Sequence, residues 1–243
     1  MKIELRAVSK SYGRSRALDR ASLEIGGGQI AAILGANGAG KTTLLRCLAG
    51  VAAPDSGEIV YNDEPFHRDQ MDLRRQLFFL PDIPVVFYEM SVVRHIGMVL
   101  RVYEREQAGI EAKVLQLLKE FDLFNVAENP LNTLSRGQVY KAAVAALIAV
   151  NPQVWLLDEP FASGMDPHGI NTLKRYAREA ITRGATIIYS TQILEVVERF
   201  SDRVCILHQG EVRAFDSMSL LRNSGRGGGG LEELFQQLRE EGP

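Results

Sequence analysis

The segment from Gly35 to Thr42 reads Gly-Ala-Asn-Gly-Ala-Gly-Lys-Thr and constrains the fold more than any other part of the chain. It matches the pattern G-x-x-x-x-G-K-[ST] in full. An apolar run at residues 30–34 precedes it and is typical of a buried strand. A helix is predicted to follow at residues 42–49. This strand–loop–helix order predicts an α/β fold built around a phosphate-binding loop.

The loop chemistry predicts ATP and Mg²⁺ as cofactors. Its glycines let successive backbone N–H groups converge on a phosphate at a helix N-terminus. We expect Lys41 to contact the β- and γ-phosphates and the Thr42 hydroxyl to ligate Mg²⁺. At average glycine usage a chance match would arise about once in a hundred such chains, and the flanking elements favour the functional interpretation. The expected nucleotide contacts in this segment are Gly35, Asn37, Gly38, Ala39, Gly40, Lys41, Thr42 and Thr43.

A second apolar run, at residues 154–157, ends in the acidic pair Asp158-Glu159. At the carboxyl end of a parallel strand beside a phosphate loop, Asp158 is placed to hold Mg²⁺. Glu159 would then act as the general base that orients and polarises the attacking water. Two solvated acids at a strand end are the structural alternative, which the phosphate loop upstream disfavours.

Composition and cysteine spacing mainly exclude classes of partner, site and location. The formal net charge of −2 gives no pull toward nucleic acid, so no nucleic-acid partner is expected. The cysteines Cys47 and Cys205 stand far apart, with neither disulfide nor zinc spacing. The N-terminus lacks the apolar core of a signal peptide. The most apolar stretch, residues 142–150, is too short to span a bilayer, which takes about 20 residues. We therefore expect a cytoplasmic chain.

The hydrophobic pattern predicts an α/β core interrupted by helices. We expect a catalytic α/β lobe at residues 1–82 and 151–223 and an α-helical lobe at residues 83–150. A Gly-rich linker and a short amphipathic helix at 231–239 are expected within residues 224–243. Strands are predicted at residues 3–8, 21–25, 30–34, 58–61, 154–157, 186–190 and 203–207. One apolar helix face is predicted to comprise Val114, Leu115, Leu117, Leu118 and Phe121.

The segment Leu134-Ser-Arg-Gly-Gln138 precedes a long apolar helix and lies upstream of the acidic pair. Ser135 and Gln138 have the spacing of a capping box, which is a purely structural explanation for these two residues. It leaves Gly137 and the position relative to Asp158 unexplained. A capped helix N-terminus is also an anion site, so the structural and functional interpretations are compatible.

The order of these motifs resembles the nucleotide-binding domain of ABC transporters along essentially the whole chain. Residues 134–138 resemble the family signature, and Tyr12 resembles the aromatic that stacks on adenine. The segment Ser163-Gly-Met-Asp166 resembles the loop that reaches across the dimer, although on its own it is typical of a helix cap before Pro167. The resemblance implies a P-loop NTPase core, a RecA-like mixed sheet with N-terminal antiparallel strands, and an inserted α-helical subdomain.

The resemblance also implies partners. It implies a head-to-tail homodimer, or a heterodimer with a similar ABC subunit, in which ATP lies between two copies. One copy would supply the phosphate loop and the other Ser135, Gly137, Gln138 and Asp166. The dimer would drive a transmembrane permease subunit, so the chain would reach the inner face of the cell membrane only through that partner.

Three positions depart from the commonest family pattern. Arg136 stands where a second glycine often sits. Asp82 occupies the place of a glutamine that, in the family, touches Mg²⁺ and the attacking water. The alternative interpretation is that Asp82 is a turn residue between two prolines. Gln192 replaces the histidine that senses the γ-phosphate, and it cannot carry a positive charge. We assign Glu159, Asp82 and Gln192 to catalysis and expect hydrolysis that is slow.

The sequence leaves two questions open: the subgroup within the family and the functional class of the protein. The motif details resemble ATPases that pair with separate exporter permeases, and Phe87, Tyr88 and Met90 would then line the groove for the permease; local core of the helical lobe is the other interpretation. An ATP-binding regulatory subunit with weak hydrolysis is the second hypothesis. An ABC ATPase acting on DNA or ribosomes is a third, disfavoured because the chain has neither two cassettes nor coiled-coil arms.

Overall fold

The computed structural model describes residues 1–220, which form two β-sheets and seven α-helices. The strands are β1 (Ile3–Tyr12), β2 (Ser15–Ile25), β3 (Ile30–Leu34), β4 (Ser56–Tyr61), β5 (Glu64–Pro65), β6 (Leu77–Leu80), β7 (Val154–Leu157), β8 (Thr186–Thr191), β9 (Arg203–His208) and β10 (Glu211–Ser217). The helices are α1 (Lys41–Leu48), α2 (Met71–Arg74), α3 (Val92–Val102), α4 (Ile110–Glu120), α5 (Arg136–Val150), α6 (Pro167–Thr182) and α7 (Leu194–Phe200).

The two sheets differ in the direction of their strands. The first has the order β2-β1-β4-β5 and is antiparallel throughout. The second has the order β10-β9-β3-β8-β7-β6 and is parallel, except that β10 pairs antiparallel with β9 at one edge. Helices α3, α4 and α5 lie in the chain between β6 and β7, which are neighbours in this sheet. The predicted α/β class, with N-terminal antiparallel strands and an inserted helical part, is confirmed.

The core lies on the central strands of the parallel sheet. Every residue of β3, β7 and β8 is buried. Parallel strands covered on both faces are apolar throughout rather than alternating, which is why these short runs could be recognised in the sequence. Their carboxyl ends meet at one edge of the sheet, where the loop after β3 and the acids after β7 come together.

The inserted helices pack through apolar faces, with one correction to the prediction. Val114, Leu117, Leu118 and Phe121 are buried, whereas Leu115 is 42% exposed. The four buried residues have i, i+3, i+4, i+7 spacing, and the residue after the first of them lies about 100° away around the helix. Leu115 therefore does not belong to the buried face.

Several boundaries differ from those predicted. Strands β1 and β2 are longer than expected because they pair with each other along their length, from Ile3 opposite Ile25 to Tyr12 opposite Ser15. The predicted linker and helix in residues 224–243 lie outside the described residues. Within residues 1–220 no helix combines the length and hydropathy that crossing a bilayer requires.

Candidate nucleotide-binding site

The glycine-rich loop connects β3 to α1 and depends on backbone geometry that a larger residue could not adopt. Gly40, at the N-cap of α1, has φ 104°, and a Cβ added there would lie 2.2 Å from the Ala17 carbonyl oxygen. The loop closes through a hydrogen bond from the Ala39 N–H to the Ala36 carbonyl at 3.2 Å. The free N–H groups in the first turn of α1 therefore point toward the loop.

Lys41 is buried, with 6% of its side chain exposed, and its ammonium group is fully engaged. Its Nζ donates to the carbonyl oxygens of Gly35 at 2.9 Å and Ala36 at 3.1 Å. The same atom lies 3.2 Å from Glu159 Oε1. An ammonium has three N–H donors, so its own loop and one carboxylate account for all of them in this structure.

The acidic pair follows β7 and is held by a residue that the sequence analysis did not single out. Asp158 is buried, and its Oδ1 accepts a hydrogen bond from the Ser190 hydroxyl at 2.6 Å. The Glu159 N–H donates to the Ser190 Oγ at 2.9 Å. Ser190 belongs to β8, the parallel neighbour of β7, in which Tyr189 pairs with Leu157. In the sequence, a polar residue at the end of that apolar strand was the feature that could have indicated this contact.

Glu159 has an unusual backbone and one free carboxylate oxygen. Its φ is 47°, in the left-handed region that non-glycine residues rarely adopt. Its Oε2 is buried without a hydrogen-bond partner among the described residues. Because Oε1 faces Lys41, Oε2 remains available as an acceptor for a further donor in the site.

One cavity, of ≈ 350 Å³, brings most of the expected residues together. Its walls are the loop between β3 and α1, the first turn of α1, and three carboxylates. The lining residues are Ala17, Ala36, Asn37, Gly38, Ala39, Gly40, Lys41, Thr42, Thr43, Asp82, Asp158 and Glu159. A cationic group, a glycine-rich loop and oxygen donors in one cleft are suited to a phosphate ester with its counter-ion.

The oxygen donors of this cavity fit Mg²⁺ better than a metal held by protein alone. Within residues 1–220 no group of three or more His, Cys, Asp and Glu is arranged to hold a metal. Mg²⁺ is usually bound by one or two carboxylates together with water and substrate phosphates. Asp158 and the hydroxyl of Thr42, both on the cavity wall, match that donor set.

Three residues expected to contact the nucleotide of their own chain do not line this cavity: Gly35, Tyr12 and Gln192. The Gly35 carbonyl oxygen accepts from Lys41 Nζ. Tyr12, 47% exposed at the end of β1, lines a different cleft, and Lys10 Nζ lies 5.6 Å from the centre of its ring. Gln192 is exposed one residue beyond β8 and is not among the lining residues. The family resemblance assigned Tyr12 and Gln192 to the site, but it could not fix the direction of their side chains.

The signature segment begins α5, and none of its residues lines the cavity of its own chain. The Ser135 Oγ accepts from the Gln138 N–H at 3.3 Å, and the Ser135 N–H donates to Gln138 Oε1 at 3.0 Å, which confirms the capping box. Gly137 packs against the segment before α6, since a Cβ there would lie 2.4 Å from the Gly164 carbonyl oxygen. Ser135 itself is exposed.

Asp166 caps α6, as the structural interpretation of its segment predicted. Its Oδ1 accepts from the Gly169 N–H at 2.8 Å, and Pro167 occupies the first turn. Its other oxygen accepts from the buried Lys141 Nζ at 2.5 Å. Hydrogen bonding from Lys141, then from the Gly169 N–H, lowers the pKa of the Asp166 carboxyl. The pair joins α5 to α6, a link that sequence alone did not reveal.

Asp82 lies in the nucleotide cavity and contacts the signature segment. Arg136 Nη2 lies 2.9 Å from Asp82 Oδ1. Asp82 is thus more than a turn residue between Pro81 and Pro84, the alternative that its flanking prolines suggested. Two of the three departures from the family pattern are in direct contact.

The cleft that Tyr12 lines, of ≈ 550 Å³, also runs beside the segment that follows Asp82. Its lining includes Ile83, Pro84, Val85 and the buried His95. Phe87 and Tyr88 are 54% and 48% exposed, and neither they nor Met90 line the cleft. The interpretation of these two aromatics as local core is therefore wrong.

Comparison with known proteins identifies similar chains over most of the sequence. The family model described as ABC transporter matches residues 18–162. The chain is 32% identical over 240 residues to the ABC-type transporter ATP-binding protein EcsA of Bacillus subtilis strain 168, covering 98% of this chain and 97% of that protein. It is 37% identical over 224 residues to the sulfate/thiosulfate import ATP-binding protein CysA of Methylococcus capsulatus, covering 89% of this chain and 63% of CysA.

Solved structures agree with these relatives. The structure of an ATP-binding subunit of an ABC transporter superimposes with a TM-score of 0.90 at 30% identity, covering 98% of this chain and 100% of that one. A dimeric bacterial ABC transporter cassette superimposes with a TM-score of 0.79 at 25% identity, covering 89% of this chain and 98% of that one.

Proposed function

The chain belongs to the ABC transporter family of ATP-binding subunits, and from this premise we propose that it hydrolyses ATP as a dimer to power transport through a separate permease. The observation that carries the proposal is the single cavity in which Lys41, Asp158 and Glu159 face the glycine-rich loop. These three groups supply a cation for phosphate, a ligand for a metal and a base for water.

Lys41 is the proposed phosphate contact. Its ammonium is buried against Gly35, Ala36 and Glu159, so a triphosphate entering the loop would replace some of these partners with phosphate oxygens. Charge-assisted hydrogen bonds to phosphate are the stronger kind, which favours the exchange. The exchange would also release Glu159 from its ion pair at the moment when a base is needed.

Glu159 is the proposed general base, and Asp158 and Thr42 are the proposed ligands of Mg²⁺. The strand-end position of Glu159 is fixed through its N–H by Ser190, and its Oε2 can accept a proton from water. Ser190 also holds Asp158, so one hydroxyl sets the separation of the two acids. When bound, Mg²⁺ would neutralise charge that develops on the phosphate oxygens.

The proposed dimer would complete each site from a second copy. The signature residues Ser135, Gly137 and Gln138 stand apart from the cavity of their own chain, at the capped start of α5. A capped helix N-terminus is suited to phosphate, so these residues are placed to serve the nucleotide of a partner chain. Tyr12 and Asp166 are proposed to contribute to the same closed state.

The cleft beside Val85 is the proposed seat of the permease, at the inner face of the cell membrane. Val85 is 85% exposed and the neighbouring Ile83 is 68% exposed, so the two form an apolar patch on the wall of the cleft. Replacing Val85 with Asp is expected to abolish co-purification with a multi-span membrane protein. The matched control is Val102→Asp, because Val102 is 64% exposed and does not line the cleft. Equal recovery with both variants would contradict this seat.

An ATP-binding regulator with weak hydrolysis is the second candidate. The observation that favours it is the exposed Gln192, which stands outside the nucleotide cavity and cannot carry a positive charge. The two candidates are separated by steady-state ATP hydrolysis measured beside nucleotide-induced dimerisation, for the wild type and Glu159→Gln. The motor predicts turnover that Glu159→Gln abolishes while dimerisation persists. Nucleotide-induced dimerisation without ATP turnover in either protein would support the regulatory function instead.

A further inference from the structure

Two unusual residues of this chain, Asp82 and Arg136, form a contact that joins the nucleotide cavity to the signature helix. Arg136 Nη2 lies 2.9 Å from Asp82 Oδ1, although the residues are 54 positions apart. Asp82 follows β6 and lines the cavity, whereas Arg136 is the first residue of α5. The side chains are 42% and 60% exposed, so as a surface ion pair the contact contributes little to stability.

The value of this contact lies in charge rather than in stability. The cavity wall already holds Asp158 and Glu159, and Asp82 adds a third carboxylate where a triphosphate would sit. Lys41 is the cation within the described lining, and Glu159 occupies one of its donors. An unneutralised Asp82 would repel a polyanion at distances shorter than the Debye length of about 8 Å. The guanidinium of Arg136 offsets that charge.

We propose that Arg136 is a positioning residue that holds and neutralises the Asp82 carboxylate. This contact fixes where the extra negative charge lies in the cavity and connects the cavity to the helix that carries the signature. The inference rests on the proposed function, because it assumes that the cavity takes ATP.

Equilibrium binding of a fluorescent ATP analogue tests the pairing by a double-mutant cycle. Arg136→Gln is expected to weaken binding about three- to tenfold, because it leaves the Asp82 charge uncompensated beside the triphosphate. In an Asp82→Asn background the same substitution is expected to change affinity less than about twofold. The effect of Arg136→Gln should shrink at 0.5 M salt, as expected for a screened charge. Arg101→Gln is the matched control, since Arg101 pairs with Glu106 in the same helical part and lies outside the cavity lining.

The outcomes separate this inference from the proposed function. Wild-type protein that binds ATP, with Arg136→Gln and Asp82→Asn acting additively, would overturn the Arg136–Asp82 pairing and leave the proposed function intact. Wild-type protein that binds no ATP would overturn both. Coupling of Arg136→Gln to Asp82, with an inert Arg101→Gln, is the result that supports the inference.

Discussion

Replacing Ser190 with Ala is expected to lower both stability and turnover, because one hydroxyl holds both acids of the site. Ser190 is completely buried; it donates to Asp158 at 2.6 Å and accepts from the Glu159 N–H at 2.9 Å. Alanine leaves a carboxylate oxygen and a backbone N–H without their partner. A buried polar group left unpaired costs about 1–3 kcal/mol, and more when it is charged. Since Glu159 is 18% exposed, water can reach part of the site, and we expect a loss of about 3 kcal/mol in total.

For a domain of this size each kcal/mol lowers the melting temperature by about 2–4 °C, so Ser190→Ala should melt about 6–12 °C lower. Urea unfolding should give the same difference in free energy at an unchanged slope. Turnover should fall about tenfold or more, because the left-handed backbone of Glu159 loses its anchor. Ser219→Ala, at an exposed serine, is the control. A melting temperature within about 2 °C of wild type, with unchanged turnover, would refute the reasoning.

Three further predictions follow from single positions. Gln192→His should raise the steady-state rate of ATP hydrolysis at similar ATP affinity; an unchanged rate would show that this position does not limit turnover. Gly137→Ala should destabilise the fold by about 1–3 kcal/mol in urea unfolding, because its Cβ would meet the Gly164 carbonyl oxygen at 2.4 Å; wild-type stability would contradict that packing. Burial raises the thiol pKa of Cys205 to about 12 and of Cys47 to about 11, so at pH 8 a disulfide reagent should label neither in native protein and both after unfolding; rapid native labelling would contradict their burial.

Much of the fold and the centre of the candidate site could be predicted from sequence because both depend on short local patterns. The loop before Lys41 and the acids after β7 are each specified by consecutive residues at the end of an apolar strand. Since parallel strands end at one edge of a sheet, finding the strands was enough to bring Lys41, Asp158 and Glu159 into one cavity.

What could not be predicted depends on contacts between distant parts of the chain. Ser190 reaches the acids only because β8 lies beside β7, and Lys141 reaches Asp166 only because α5 packs near α6. The resemblance to the family assigned Tyr12 and Gln192 to the nucleotide site, but sequence does not fix side-chain direction, and neither residue lines the cavity. Contacts of this kind appear only when the elements are packed.

Single-turnover hydrolysis of ATP by wild type and Glu159→Gln tests the central claim most directly. The claim is that Lys41, Asp158 and Glu159 surround one triphosphate and that Glu159 activates the water. We expect Glu159→Gln to slow the chemical step by about 10²–10⁴-fold, while ATP affinity stays within about threefold. Glu195→Gln, at an exposed acid paired with Arg199, should hydrolyse ATP like wild type. Equal single-turnover rates for wild type and Glu159→Gln would contradict the account.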